Sequence, residues 1–328
     1  MLVKLLQTTG NGKFEEIEWN KPNVGNEEIE VMALMTGICR SDIDMMNGNF
    51  GPLPLNMQGH EGLGQVTKIG KEITDTKVGD IVATRGEPAY ADYYNVRHNE
   101  YVVVPDADPK YIIEPVACGV NIVTSNLDKL NYMSGMAKFK GQRQRILIIG
   151  SGFLATVVYT KLKVLRLADD VDVLGSHNRK FWEDRLISEP NGKYDVVIDL
   201  KDDSTLVFDG DIINENALII LAAEKKGITT TFGNLLWKNA SMDFPSPRNP
   251  NFHSSMGDAV SLISTGILNI DGFWTKSYDR DLEWEQAFVD GNNRPEGYSR
   301  GYITWNKHMY KLYEKTRAQR IVDETESK

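Results

Sequence analysis

Two short segments carry residue types from which a metal centre can be built: TGICRSDIDMMNG at 36–48, with Cys39, and MQGHEGLGQVTKIG at 57–70, with His60. Thiolate and imidazole are both preferred zinc ligands, and a catalytic zinc keeps three protein ligands plus an open position for water or substrate. Taken singly, Cys39 also reads as a buried core cysteine and His60 as a surface histidine. A third segment, ILIIGSGFLATVVYTKL at 146–162, reads as a buried strand, a tight Gly-x-Gly turn and a helix. Gly150 permits the turn, Gly152 lets the backbone approach a pyrophosphate, and Ala155 allows close helix-to-strand packing. The helix start at Phe153 and Leu154 offers free N–H groups and the positive end of the helix dipole. An ordinary glycine-bearing turn is the plainer alternative for this segment alone.

The next strand, VDVLGSHNRK at 171–180, ends where a dinucleotide site selects its ribose. A carboxylate there accepts hydrogen bonds from the ribose and repels a 2′-phosphate. Here Gly175, Ser176, His177, Asn178 and Arg179 follow instead, with no carboxylate until Glu183. Small polar groups at Ser176 and Asn178 followed by Arg179 suit a phosphate better than a bare diol, which favours NADP with NAD as the alternative. A solvated turn with Arg179 facing water is the bland reading.

The elements that must position these groups fall into two kinds. The first third is dense in short strand-like runs broken by Gly, Pro and Asn: IEVMALM from Ile29, GQVTKIG from Gly64, DIVAT from Asp80, ADYYNV from Ala91 and YVVVP from Tyr101. That pattern predicts a β-rich, partly barrel-like domain. From Glu114 the apolar spacing of EPVACGVNIVTSNLDKLNY becomes helical, with Pro115 suited to a first turn. Strands and helices then alternate, with strands expected at 146–150, 171–175, 194–200, 216–223 and 228–233, which argues for a parallel sheet covered on both faces. A helix is expected over DAVSLISTGIL, mixed structure from about Gly272, and a polar helix near 305–318.

Composition narrows the function classes. The 328 residues are enough for two domains, and 37 basic against 46 acidic residues give a net charge of −9, which argues against a nucleic-acid surface. No apolar run approaches the roughly 20 residues of a membrane span. The amino terminus lacks the apolar stretch of a signal peptide, and two cysteines suit a reducing compartment, so a cytoplasmic protein is expected.

Together the segments resemble the zinc-containing alcohol and polyol dehydrogenases of the medium-chain dehydrogenase/reductase family. The resemblance runs in order through Gly37-Ile38-Cys39-Arg40-Ser41-Asp42, Gly59-His60-Glu61, Val78-Gly79-Asp80, Ala91-Asp92-Tyr93, Glu114-Pro115 and the turn at Gly150, nearly the whole chain. It implies an α/β fold with a β-rich GroES-like catalytic domain over 1–121 and 273–328 and a Rossmann doubly wound cofactor domain over 122–272. It also implies one catalytic Zn²⁺ on Cys39 and His60, with Glu61 as an intermittent ligand or close neighbour. Ser41 would take the substrate proton, Asp42 would orient His60, and Arg40 would be available to the cofactor pyrophosphate. Glu114 is favoured as the third ligand, as in polyol-type members, over Cys118 one helical turn on.

Two departures stand out. The four-cysteine structural-zinc lobe of many relatives has no room after Asp80, and Asp44 stands where alcohol-type members often carry a relay histidine. Asp44 can pass a proton through water, bind a sugar hydroxyl or simply sit in a turn. An alcohol, polyol or sugar is the expected substrate, with a polyol or sugar favoured, and a catalytically inactive nucleotide-binding member is the alternative. Tyr90, Trp237, Trp274 and His253 are read as packing or surface residues. The resemblance further implies a homodimer, or a tetramer of paired dimers, joined through the edge strand at 228–233.

Overall fold

The structure is a computed structural model, and it describes residues 1–50, 58–223 and 232–305. The chain forms two compact units: Met1–Pro115 with the chain from Val260 onward, and Val116–Ala259.

The first unit opens with an antiparallel pair, β1 (Leu2–Gln7) and β2 (Glu15–Asn20), which the sequence patterning did not reveal. The main sheet contains β3 (Glu28–Gly37), β4 (Gly62–Ile69), β5 (Ile81–Thr84), β6 (Tyr93–Arg97) and β7 (Tyr101–Val103), matching the five strand-like runs. Nine of the ten residues of β3 are buried, because β4, β6 and a late strand all pair with it; hence the unbroken apolar run VMALM. The core gathers Leu5, Leu6, Phe14, Ile29, Val31, Tyr90, Tyr94 and Phe288.

The second unit holds β8 (Arg145–Ile149), β9 (Asp170–Leu174), β10 (Leu186–Ile187), β11 (Tyr194–Asp199), β12 (Ile213–Leu221) and β13 (Ser241–Asp243). They form one all-parallel sheet in the order β10-β9-β8-β11-β12-β13. Counted within the unit this is the doubly wound order 3-2-1-4-5-6, with the reversal of direction beside β8. Its aliphatic strands are buried on both faces, as a parallel sheet requires. One face packs on the helices Glu114–Thr124, Leu127–Phe139 and Phe153–Val164. The other is covered by shorter pieces, Leu206–Asp209 and Gly233–Trp237. The run from Glu114 is two helices, not one, interrupted at Ser125–Asn126, where Asn126 donates back to the Ile122 carbonyl.

The helix Phe252–Ser264 and the mixed structure after it return the chain to the first unit, where β14 (Trp274–Asp279) and β15 (Arg300–Thr304) complete its sheet. Of the expected edge strand at 228–233, residues 228–231 lie outside the described residues; Phe232 leads into a helix, and β13 is the described edge. The expected helix at 305–318 lies outside them beyond Trp305.

Candidate metal centre and nucleotide turn

Cys39 ends the approach from β3 and caps the helix Arg40–Met46. Asp42, at the third helical position, reaches back so that its Oδ2 accepts the Cys39 N–H at 2.9 Å. An acidic side chain there satisfies a helix-end donor and meets the positive end of the dipole. The same carboxylate is fully buried, and its Oδ1 lies 3.6 Å from His60 Nδ1 while making no hydrogen bond. A single residue thus serves both the helix start and the imidazole.

His60 follows Gly59, whose φ of +81° is a backbone state that glycine takes without strain. The ligand atoms of Cys39, His60 and Glu61 lie within 4.8 Å of one another. Burial pushes the Cys39 thiol up, with the Glu61 carboxylate adding to it and His60 opposing. Burial also raises Asp42, against the pull of His60 and the hydroxyl of Tyr90. On His60, burial lowers the pKa, but Asp42, Cys39 and Glu114 outweigh it and hold the imidazole well above its usual value. A half-buried thiol and imidazole with a buried carboxylate, beside a buried carboxylate oxygen with no donor, form a donor set that fits zinc.

Glu61 carries a partner absent from any local motif. Its two oxygens accept from Arg300 Nη2, each at 2.5 Å, across 239 residues of sequence. The antiparallel pairing of β15 with β3, with Tyr302 opposite Gly37, delivers Arg300 to the place where Cys39 begins. Burial lowers the Arg300 pKa, yet the Glu61 carboxylate more than restores it, leaving it above the ordinary value. A side chain at Gly37 would collide with the Glu61 carboxylate, so that glycine is needed for close approach.

Glu114 is buried and close enough to raise both His60 and Arg300, but it stands outside the 4.8 Å cluster. Cys118 sits in the second unit. Ser41 is half-buried on the helix that carries Asp42. Arg40 is exposed, with its Nε 3.8 Å from Asp44 Oδ1, which also accepts from Asn49 at 3.0 Å.

In the second unit, Gly150 follows β8 with φ +111°, a conformation suited to glycine, and a Cβ there would meet Leu200 at 3.4 Å. Gly152 caps the helix Phe153–Val164, and nothing lies within 4 Å of where its Cβ would stand. Ala155 is fully buried against the sheet, Phe153 is nearly so, and Leu154 is half-buried. Ser151, between the two glycines, organises the loop after β9: its Oγ accepts the His177 N–H at 2.9 Å. Its carbonyl accepts from Asn178 Nδ2 at 3.1 Å and from the buried Trp182 indole at 2.9 Å. Asn178 is therefore engaged with the glycine turn, while Ser176 and Arg179 are exposed. Ser151 and Trp182 carried no sequence signal beyond lying in and beside the motif.

The model of the alcohol dehydrogenase GroES-like domain matches residues 25–109, which contain Cys39, Asp42, His60, Glu61 and Tyr90. Residues 25–109 are thus similar to the alcohol dehydrogenase GroES-like domain. Among curated relatives, an alcohol dehydrogenase of Schizosaccharomyces pombe is 40% identical over 78 residues, 23% of this chain and 21% of that one. Glucose 1-dehydrogenase 1 of Vulcanisaeta moutnovskia is 24% identical over 239 residues, 58% of this chain and 66% of that one. The matched part thus spans from about a fifth to just under two thirds of these relatives. The likeness of fold extends further than the sequence similarity. A short chain alcohol dehydrogenase from Escherichia coli complexed with NADH superposes with a TM-score of 0.75 at 15% identity, over 93% of this chain and 99% of that one. A Sinorhizobium meliloti chain bound to NADP gives 0.71 at 18%, over 93% and 99%. Among the described residues no helix is long and apolar enough to cross a membrane.

Proposed function

We propose that this chain is an oxidoreductase that moves a hydride between NAD(P) and an alcohol, polyol or sugar, or the corresponding carbonyl. The observation that carries this reading is the close Cys39–His60–Glu61 cluster, with the orphan Asp42 Oδ1 facing His60. Cys39 and His60 would hold a catalytic zinc, with Glu114 as the preferred further ligand and Glu61 as an alternate one. Bound there, the metal would supply Lewis acidity that lowers the pKa of an alcohol or polarises a carbonyl.

The chain's own groups supply the rest. Asp42 faces the Nδ1 side of His60, which would leave Nε2 for the metal. Arg300 holds the Glu61 carboxylate, so that Glu61 would be available as a ligand only with that pair open. The Ser41 hydroxyl takes or returns the substrate proton, with Asp44 as a following acceptor. Gly150, Gly152 and the helix start at Phe153 and Leu154 receive the pyrophosphate. Exposed Ser176 and Arg179, without a carboxylate after β9, favour NADP, with NAD accepted. Support for self-association comes from the β13 edge and the exposed Phe232, Leu236, Trp237 and Phe244 near it in sequence, which favour a homodimer.

The test is metal analysis of the purified chain together with a dehydrogenase screen over polyols, sugars and primary alcohols with both nucleotides. About one zinc per chain and an activity abolished by Cys39→Ser are expected. Protein without zinc whose activity survives Cys39→Ser would overturn the reading. Zinc bound without turnover of any substrate would point to the nucleotide-binding alternative.

A further inference from the structure

Tyr90 is fully buried against a stacked pair of aromatic rings, edge-on to Phe14 at 5.7 Å and to Phe288 at 5.3 Å. Its hydroxyl does not face those rings. It donates to Asp42 Oδ2 at 2.8 Å and lies 3.1 Å from the Gly37 carbonyl. With the Cys39 N–H on the same oxygen, both donors hold Oδ2 and leave Oδ1 as the oxygen turned to His60 Nδ1. On its other side the ring packs against the peptide before His60: a Cβ at Gly59 would stand 2.7 Å from Tyr90 Cγ and Cδ2. The neighbouring Ala89 N–H donates to the Gly59 carbonyl at 2.8 Å, and the Ala89 carbonyl accepts from Thr36 at 2.8 Å. One side chain therefore touches both segments that bring Cys39 and His60 together.

We infer that Tyr90 is a positioning residue of the metal centre: its hydroxyl fixes the Asp42 carboxylate and its ring fixes the Gly59–His60 peptide. This rests on the reading of Cys39 and His60 as metal ligands. A phenylalanine would fill the same apolar slot, so core packing alone asks for no hydroxyl. The hydroxyl is needed because a buried carboxylate with one donor is free to rotate its second oxygen away from the imidazole.

The experiment compares wild type, Tyr90→Phe, Asp42→Asn and the double variant, each full-length and stripped of metal, by titration with Co²⁺ and Zn²⁺ against a competing chelator. Near-UV circular dichroism checks that each is folded. Tyr90→Phe should weaken affinity about tenfold, at the lower end of what outer partners of metal ligands contribute, and alter the cobalt absorption bands. Because Tyr90 acts through Asp42, the double variant should bind no more weakly than Asp42→Asn. Wild-type affinity and spectrum in folded Tyr90→Phe, even with a lowered melting temperature, would overturn the inference, as would losses that add in full. Failure of wild type itself to take up either metal would overturn it together with the metal-site reading, and so is told apart from the first result.

Discussion

The GroES-like unit buries seven charged side chains among its described residues, Lys21, Glu30, Asp42, Glu61, Glu114, Arg280 and Asp290, whereas the parallel-sheet unit buries two, Lys161 and Asp199. A buried charge is tolerated only with a partner, and the first unit supplies partners throughout. Lys21 lies 2.9 Å from Glu30, Arg280 lies 2.6 Å from Glu16, Asp290 takes Lys276 and Tyr278, and Glu61 takes Arg300. The second unit is held by interlocking aliphatic residues such as Ile146, Ile148, Val196, Ile198, Leu218 and Ile220. The difference separates two tasks. On the proposed function, a site for proton and metal chemistry must keep polar groups out of water and fixed, while a sheet that receives a nucleotide needs rigidity and shape.

The largest effect that would sharpen this contrast is expected at Arg300. Arg300→Met leaves the fully buried Glu61 carboxylate without its cation, at a cost of about 3–5 kcal/mol, and Arg300→Lys should recover only part because it lacks the planar fork. Glu61→Gln with Arg300→Met should be milder than Arg300→Met alone. Chemical denaturation of chelator-treated protein reads all three, and an Arg300→Met variant as stable as wild type would break the comparison.

Next in size is Ile198→Ala in β11, expected to cost about 2–5 kcal/mol by opening a cavity. Here the conservative change is forgiven: Ile198→Val should cost only about 0.5–1.5 kcal/mol. Equal penalties for Arg300→Lys and Ile198→Val in the same denaturation series would erase the proposed distinction.

The smallest effect is a pH dependence of the first unit. Burial raises Glu30 and Glu16, but Lys21, Lys68 and Thr67 on the former and Arg280 and Lys4 on the latter outweigh it, so both fall below the ordinary 4.5. Asp290 is likewise lowered, by Lys276, Tyr278 and Gln286 against its burial. A folded-state pKa below the unfolded one gives stability that is complete above the unfolded value and lost as pH falls through the folded one. Stability should therefore decline as the medium is acidified below 4.5, while Asp42 and Asp92, raised by burial, work against the trend. Lys68→Met removes the solvent-facing partner of Glu30, should cost less than about 1 kcal/mol, and should flatten the acid slope. An unchanged slope in denaturation midpoints taken across that range would remove Lys68 from the account.

Local residue order made much of this legible. Cys39, Asp42, His60 and Glu61 lie in two short segments, and the turn at Gly150 joins a buried strand to a helix, so spacing and residue type expose them. The strands β3 to β7 were readable because apolar runs were punctuated by turn residues. The hairpin β1–β2 was not, because β2, EEIEWN, keeps an exposed and charged face that resembles a loop. Nor was the break at Ser125–Asn126, where a side-chain hydrogen bond ends a pattern whose apolar spacing runs on.

The sequence by itself determined which groups of this chain can ligate and which backbone can bend: one thiol and one imidazole in glycine-flanked segments, and a glycine at each tight turn. Only the tertiary structure decided what holds them. Arg300 reaches Glu61 across 239 residues, and Tyr90 reaches Asp42 across 48, because strand pairing and aromatic packing bring together positions that share no local pattern. A ligand is recognisable from its own chemistry, whereas a partner that positions it is defined by direction and distance, and these exist only once the sheet has formed.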